Sequence, residues 1–466
     1  MAKLFRDIKY GIGAFFELEK YKNTIKTGRF FAKKLLEFFI FLLLVFCFVR
    51  VWHYGQARPG IDFYQFWSVG QEIVQKGAAV DIYSREARIK IGNEFLQKSY
   101  ANADSSRFRW AAENRKVFEI YSTPFLYSLF AIFFSGDYET DYRSYQLFCL
   151  MCSVFAIVVL CRLFKYSVIR TMFFLVLFVA WFEPFFSDVR VANVNQIQLG
   201  LLALFLWFQT RYAWRMKDFL GGIILGFTVM FKPNLVFVIL MLTICWMINR
   251  RFRKITLEYT GIILGVIIAF IVSTVLLDSM RCWNGWFTAI LSAPHDIIKL
   301  SYGNFGLAML ILDRFNIDAV KYLIFILLSL AVVFIWLGRR HVIIAGKEDL
   351  DRAFFEDVLM VAVGCLIYLL SCPLVWLHYF VLTIPAALFI LRPHITVSTP
   401  VTLAVIVRRF FSVAAIMIIA INPMQALSGI RAPNYVAFAI SVSTFTLYGL
   451  ALWELKNMKE RPHCFI

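Results

Sequence analysis

A single carboxylate, Asp62, stands among rings and amides in Gly60-Ile61-Asp62-Phe63-Tyr64-Gln65-Phe66-Trp67, just past the first membrane-length apolar run. A carboxylate with no neighbouring acid suits a general base that takes a proton from a hydroxyl, while the rings beside it hold a sugar or a lipid stem. The plainer account of the segment is an interfacial aromatic belt with a solvated Asp. Further on, Lys232-Pro233-Asn234 places an ammonium at the end of an apolar run. An unpaired cation at the bilayer centre costs roughly 2 to 3 kcal/mol, so this one is a candidate phosphate ligand, against simple snorkelling to the headgroups. His378, between Trp376 and Tyr379, offers a donor to the same phosphate or to a sugar hydroxyl. Asn195 and Gln196 offer amides for bidentate contact with a sugar ring, and Arg58 and Arg190 are weaker phosphate candidates.

The elements that must position these groups are membrane spans. With 61% hydrophobic and 17% charged residues over 466 positions, the chain holds more apolar surface than a soluble fold of this size can hide. Its mean hydropathy of +0.71 agrees, and the expected class is an all-α polytopic membrane protein. The net charge of +18 does not call for a nucleic-acid partner, because the basic residues cluster in short loops and in an N-terminal stretch. They read as anchors against anionic lipid, and residues 1–36 as an amphipathic segment on the cytoplasmic leaflet with no cleavable signal. Most of the nine cysteines fall inside apolar runs, so no disulfide framework is expected. Cys149-Leu150-Met151-Cys152 lies mid-span without a second pair or a histidine, which favours packing over metal binding.

Crossings are expected near residues 37–52, 144–161, 168–186, 196–210, 219–232, 234–249, 257–277, 320–337, 354–371, 374–391, 398–421 and 433–453, about 12 in one integral domain over residues 37–453. Residues 454–466 then form a cytoplasmic tail. The short stretch 121–134, with Pro124 near its start, decides the parity of every later loop. If it re-enters, the loops carrying Arg162, Arg211, Arg250 and Arg339 all lie on the N-terminal side, as the positive-inside rule asks. The opposite face receives residues 53–143, an ordered first loop with juxtamembrane helices, together with 187–195, 232–234, 278–319 and 376–378. Asp349-Leu350-Asp351 falls on the cytoplasmic side and reads as a solvated charge cluster rather than a metal site.

Several outer-face motifs fall into a known order. They are Asp62 through Gly70 running on to Gly77-Ala78-Ala79-Val80-Asp81-Ile82-Tyr83; Tyr121-Ser122-Thr123-Pro124; Asn193-Val194-Asn195-Gln196-Ile197-Gln198; Gly221-Gly222 through Gly226 to Lys232-Pro233-Asn234; and Ser371-Cys372-Pro373-Leu374-Val375-Trp376-Leu377-His378-Tyr379. Over roughly residues 58–392 this resembles the bacterial polyprenyl-phosphate-mannose-dependent mannosyltransferases of the GT-C glycosyltransferase superfamily. Asn195 stands where that family has a glycine, and Gly303-Asn304-Phe305-Gly306 is only loosely similar to its Gly-Asn-x-Ser element.

The resemblance implies a GT-C fold and an inverting, single-displacement transfer of a hexose, mannose first, from a polyprenyl phosphate. Asp62 is then the base, and Lys232, His378, Arg58 and Arg190 attend the donor phosphate. Tyr64, Trp67, Asn195, Gln196, Asn234, Asn304, Trp376 and Tyr379 surround the sugar or acceptor. A monophosphate leaving group supported by protein cations needs no metal or other cofactor. The expected partners are membrane lipids, the lipid-linked donor and a glycolipid or glycan acceptor, met by a monomer at the periplasmic face of a bacterial inner membrane. Two alternatives are a lipid-linked glycan flippase, which calls for inverted repeats or paired broken helices that the sequence lacks, and an O-antigen ligase or polymerase. The latter would put its chemistry in a large late loop, whereas residues 278–319, with Arg281, Trp283, Trp286, His295 and Asp296, are of moderate size and suit a cap.

Overall fold

A computed structural model describes residues 32–76, 81–102, 105–210, 214, 216–277, 280–291, 304–340, 350–392, 403–421 and 433–457. Most of the expected amphipathic segment 1–36, most of the tail, His295, Asp296, Gly303 and Asp349 lie outside the described residues. Among the described residues the elements are helices, and an isolated bridge joins Asn304 to Trp376.

Helix α1 (Ala32–Gln56) presents Phe38, Phe39, Phe41 and Phe46 outward, as a span facing lipid does. The chain then turns at Gly60, whose φ of +65° belongs to the left-handed region, and a Cβ there would lie 2.2 Å from the Tyr142 ring. This turn starts α2 (Ile61–Lys76), and Asp62 falls in its first turn, where the helix dipole favours a carboxylate. Helices α3 (Arg85–Ala101) and α4 (Ser106–Asn114) are capped by the hydroxyls of Ser84 and Ser105. An irregular strip, residues 115–123, leads to α5 (Pro124–Phe133), which Thr123 caps and Pro124 opens. Ten residues rise only about 15 Å, half the hydrocarbon core, so α5 is too short to cross.

Helix α6 (Tyr138–Leu163) does span, and its first turns carry a stripe of tyrosines one and two turns apart. The hydroxyls of Tyr138, Tyr142 and Tyr145 donate to the carbonyls of Pro59, Gly55 and Asn193. One helix face thereby pins both the turn before Asp62 and the loop before α9. Helices α7 (Val168–Ala180) and α8 (Glu183–Val191) meet at a 56° bend, so the span expected over 168–186 is broken in two. Pro184 in the first turn of α8 accounts for the restart.

Helices α9 (Asn195–Gln209) and α10 (Lys217–Phe231) have 15 residues each, about 22 Å, shorter than the core they were expected to cross. A 3₁₀ turn at Pro233–Leu235 leads into α11 (Val236–Ile248), followed by α12 (Phe252–Leu276). Helices α10 and α12 cross through a double small-residue face, Gly222/Gly226 against Gly261/Gly265. A Cβ on Gly222 would lie 2.1 Å from the Glu258 carbonyl oxygen, and one on Gly261 2.1 Å from that of Phe219.

The remaining helices are α13 (Arg281–Leu291), α14 (Leu307–Phe315), α15 (Val320–Arg340), α16 (Leu350–Ser371), α17 (Ile384–Ile390), α18 (Leu403–Ile421) and α19 (Pro433–Asn457). The apolar window of α16 is 94% buried against 17% for that of α15, so α16 is the centre of the bundle. A 3₁₀ stretch, Leu377–Thr383, precedes α17, and the span expected over 374–391 is thus a turn followed by a short helix. Among the described residues six helices are long and apolar enough to cross, or seven if the bent pair counts as one. The protein is a multi-pass, all-helical membrane protein. Of the 12 expected crossings, those near 37–52, 144–161, 257–277, 320–337, 354–371 and 433–453 coincide with these six helices.

Candidate functional site

A cavity of about 590 Å³ opens where α2, the strip 115–123, α8 and the turn 374–379 converge, and Asp62 lines it. Asp62 is reached from three directions. Asn193 donates from Nδ2 to its Oδ2 at 2.7 Å, Arg115 approaches Oδ1 through Nη2 at 3.4 Å, and His378 Nε2 stops 3.8 Å from Oδ2. His378 is buried, and its Nε2 has no hydrogen-bond partner among the described residues. A buried, unmade donor or acceptor costs about 1 to 3 kcal/mol, which is reason to expect a ligand there.

Lys232 follows from its neighbour in sequence. Pro233 forces the residue before it out of helical geometry, and Lys232 accordingly ends α10 in an extended conformation with φ −155° and ψ 118°. Its side chain leaves the helix end for the cavity, where Nζ lies 3.3 Å from Asn193 Oδ1, 3.4 Å from Asn195 Oδ1 and 3.9 Å from the Tyr379 ring centroid. The Asn193 amide therefore bridges base and cation, with its nitrogen on Asp62 and its oxygen toward Lys232. A left-handed residue, Ala192 at φ 55°, ends α8 and aims the loop that carries Asn193.

On the other flank, Arg115 Nη1 pairs with Glu119 Oε1 at 2.7 Å. Burial disfavours the Arg115 charge, but the Asp62 and Glu119 carboxylates outweigh it and raise its pKa, so the guanidinium stays cationic. Trp376, Leu377 and Tyr379 form an aromatic and apolar wall with Phe305. Asn304 staples that wall together, accepting from Val375 N at 3.1 Å and donating to the Pro373 carbonyl at 2.9 Å. Among the described residues no three His, Cys, Asp or Glu side chains gather as metal ligands.

A model of glycosyltransferase family 87, a GT-C-like membrane family, matches residues 121–371, which is more than half of the chain. The chain belongs to this family. No curated protein and no solved structure matches it. The family 87 match contains Asn193 and Lys232, while Asp62, Arg115 and His378 lie outside it.

In this family 87 protein the expected residues divide into two groups. Asp62, Lys232, Arg190, His378, Trp376 and Tyr379 all line the cavity, Arg190 from an exposed position in the last turn of α8. The others are placed elsewhere. Tyr64 and Trp67 are packed in the aromatic core of the outer segment, and Trp67 Nε1 donates to Asp141 at 2.9 Å. Asn195 is fully buried and holds Asp188 at 2.7 Å, Gln196 accepts from Ser153 at 2.7 Å, and Asn234 accepts from Gln198 at 2.8 Å. Asn304 is the staple described above. The Arg58 guanidinium sits 4.6 Å from the Tyr54 ring centroid, and Arg58 does not line the cavity.

The sequence reading missed Arg115, Glu119 and Asn193. Helical spacing held a signal for α2, since Asp62, Gln65 and Phe66 recur at i, i+3 and i+4 and face the cavity, whereas Tyr64 and Trp67 fall on the other side.

Proposed function

We propose that this family 87 glycosyltransferase moves a hexose, mannose first, from a polyprenyl phosphate to a lipid or glycan acceptor at the periplasmic face of a bacterial inner membrane. The observation that carries the reading is one carboxylate at a cavity wall with a lysine ammonium bridged to it by a single amide. Asp62 deprotonates the acceptor hydroxyl, and that oxygen attacks the anomeric carbon from the side opposite the phosphate, which inverts the centre. The leaving phosphate takes the bonding electrons and settles against Lys232, with His378 and Arg190 in reach. Cations held in advance at that position stabilise developing charge more than water does, because they need no reorganisation. The lipid, the donor and the acceptor are its partners, it works as a monomer, and the cations take the place of a metal cofactor.

The test is sugar transfer by purified protein in nanodiscs, with polyprenyl-phosphate mannose and a membrane-lipid extract, comparing wild type with Asp62→Asn. A labelled product that disappears in the variant supports the reading. Transfer unaffected by the substitution rules out Asp62 as the base.

A further inference from the structure

We infer that Glu119 and Arg115 form the acceptor subsite and that the acceptor presents a sugar ring to it rather than an isolated lipid hydroxyl. This rests on the transferase reading above. The two flanks of Asp62 differ in how their cations are compensated. The Lys232 ammonium has amide oxygens and the Tyr379 ring around it, whereas the Arg115 guanidinium on the other flank is already paired with Glu119, whose carboxylate is 32% exposed and lines the cavity. With Arg115 compensated, that flank offers a phosphate no net positive charge, so the donor is directed to the Lys232 flank and the acceptor to the Glu119 flank.

The strip that carries Glu119 is fixed at both ends. The Gln65 amide accepts from the Glu119 backbone N–H and donates to its carbonyl, both at 2.7 Å, one turn beyond Asp62 on α2. Tyr83 OH holds the Ser122 carbonyl at 2.9 Å, and Trp286 Nε1 holds that of Tyr121 at 3.1 Å. Backbone held this firmly spends no ordering entropy when a ligand arrives.

Arg115 spans the two carboxylates, one nitrogen toward Asp62 and the other on Glu119. They stand one guanidinium apart, a separation suited to neighbouring hydroxyls of one ring, so that Glu119 accepts from one hydroxyl while Asp62 takes the proton of the next. Charged hydrogen bonds of this type add specificity because a ligand lacking the second hydroxyl leaves Glu119 and Arg115 unmatched. A simple alkyl alcohol offers nothing to that pair.

The experiment uses full-length protein in nanodiscs with polyprenyl-phosphate mannose as donor and two acceptors, octyl α-mannoside and 1-octanol. Wild type should transfer to the glycoside at least tenfold faster than to the alcohol. Glu119→Gln and Arg115→Lys should raise the KM for octyl mannoside at least tenfold more than they raise the donor KM. A thermal unfolding midpoint for each variant close to wild type separates this from a folding defect, and Glu119→Asp should restore part of the affinity. Equal transfer to both acceptors, or equal shifts in the two KM values, overturns the acceptor assignment while leaving the transferase reading intact. Absence of polyprenyl phosphate release with either acceptor overturns both.

Discussion

Two clusters of buried charge sit at opposite ends of α10 and use the same residue types in different ways. At the Lys217 end, Lys254 donates to Gln209 at 2.7 Å and to Asp357 at 2.6 Å, Trp246 donates to the other Asp357 oxygen at 2.7 Å, and Arg251 meets Glu356 at 2.7 Å. About 22 Å away at the Lys232 end, the ammonium lies 3.3 Å from Asn193 Oδ1 and 3.4 Å from Asn195 Oδ1, His378 Nε2 stops 3.8 Å from Asp62, and a cavity opens beside them. In the first cluster the Lys254 ammonium and both Asp357 oxygens close on partners within 2.7 Å, while Glu258 Oε2 is left over among the described residues. The second leaves the His378 nitrogen unmet and the ammonium on long contacts, as a site does when the substrate supplies the closing partner. What distinguishes the two ends is therefore the cavity beside the second and the long contacts of its ammonium, and neither burial nor residue type alone reveals it.

Substitutions at the two ends should separate in kind. The largest effect is expected from Asp62→Asn, which should lower transfer about 10³-fold with little change in the unfolding midpoint, measured by product formation and thermal unfolding in parallel. The mirror case is Asp357→Ala, which strands Lys254 and Trp246 and should cost about 3 to 5 kcal/mol of stability while the surviving folded protein keeps its turnover. A variant at the Lys217 end that lost turnover without losing stability would break the comparison. Lys232→Ala should reduce transfer about 10²-fold, with the loss growing as the donor concentration falls.

Gly226→Leu tests whether the two ends are mechanically joined. A Cβ at that position would lie 2.5 Å from the Ile262 carbonyl oxygen, so α10 must move, and a penalty of about 1 to 3 kcal/mol should come with impaired donor use. The smallest effect belongs to Tyr145→Phe, which removes one hydroxyl from the Asn193 carbonyl. It should cost about 1 kcal/mol and slow transfer several-fold, because Asn193 loses part of its hold.

The sequence carried the membrane class and the residues that stand out against an apolar background. Asp62, Lys232, His378, Trp376 and Tyr379 are polar or aromatic groups beside long apolar runs, and they meet in space. Arg115 and Glu119 were invisible for the opposite reason, since they lie among many charges in the outer segment, where one more ion pair carries no contrast. Asn193 was within a quoted motif but was passed over for Asn195 and Gln196. Its role depends on the left-handed turn at Ala192, which is unusual for a residue that is not glycine and cannot be read from residue type. Tyr64 and Trp67 were credited with ligand contacts because the segment was taken as a cluster of rings, whereas the helical period sends them into the aromatic core. The expected spans depart from the structure at the 374–391 segment, where the helix is shorter than the apolar run that announced it, because hydropathy does not distinguish burial in protein from burial in lipid.

The dispersal of the cavity along the chain also has a consequence in time. Asp62, Asn193, Lys232 and His378 leave the ribosome in that order, and at roughly 5 to 20 residues per second the stretch from Lys232 to His378 takes on the order of ten seconds to make. During that interval the nascent chain already contains the Asp62 carboxylate, its bridging amide and the ammonium, without Tyr379 beside Lys232 or the Asn304 staple that fixes the aromatic wall. A chain arrested just after α16 would hold most of its apolar helices and no enclosed cavity, so a biosynthetic intermediate of this protein can be well inserted and still inert.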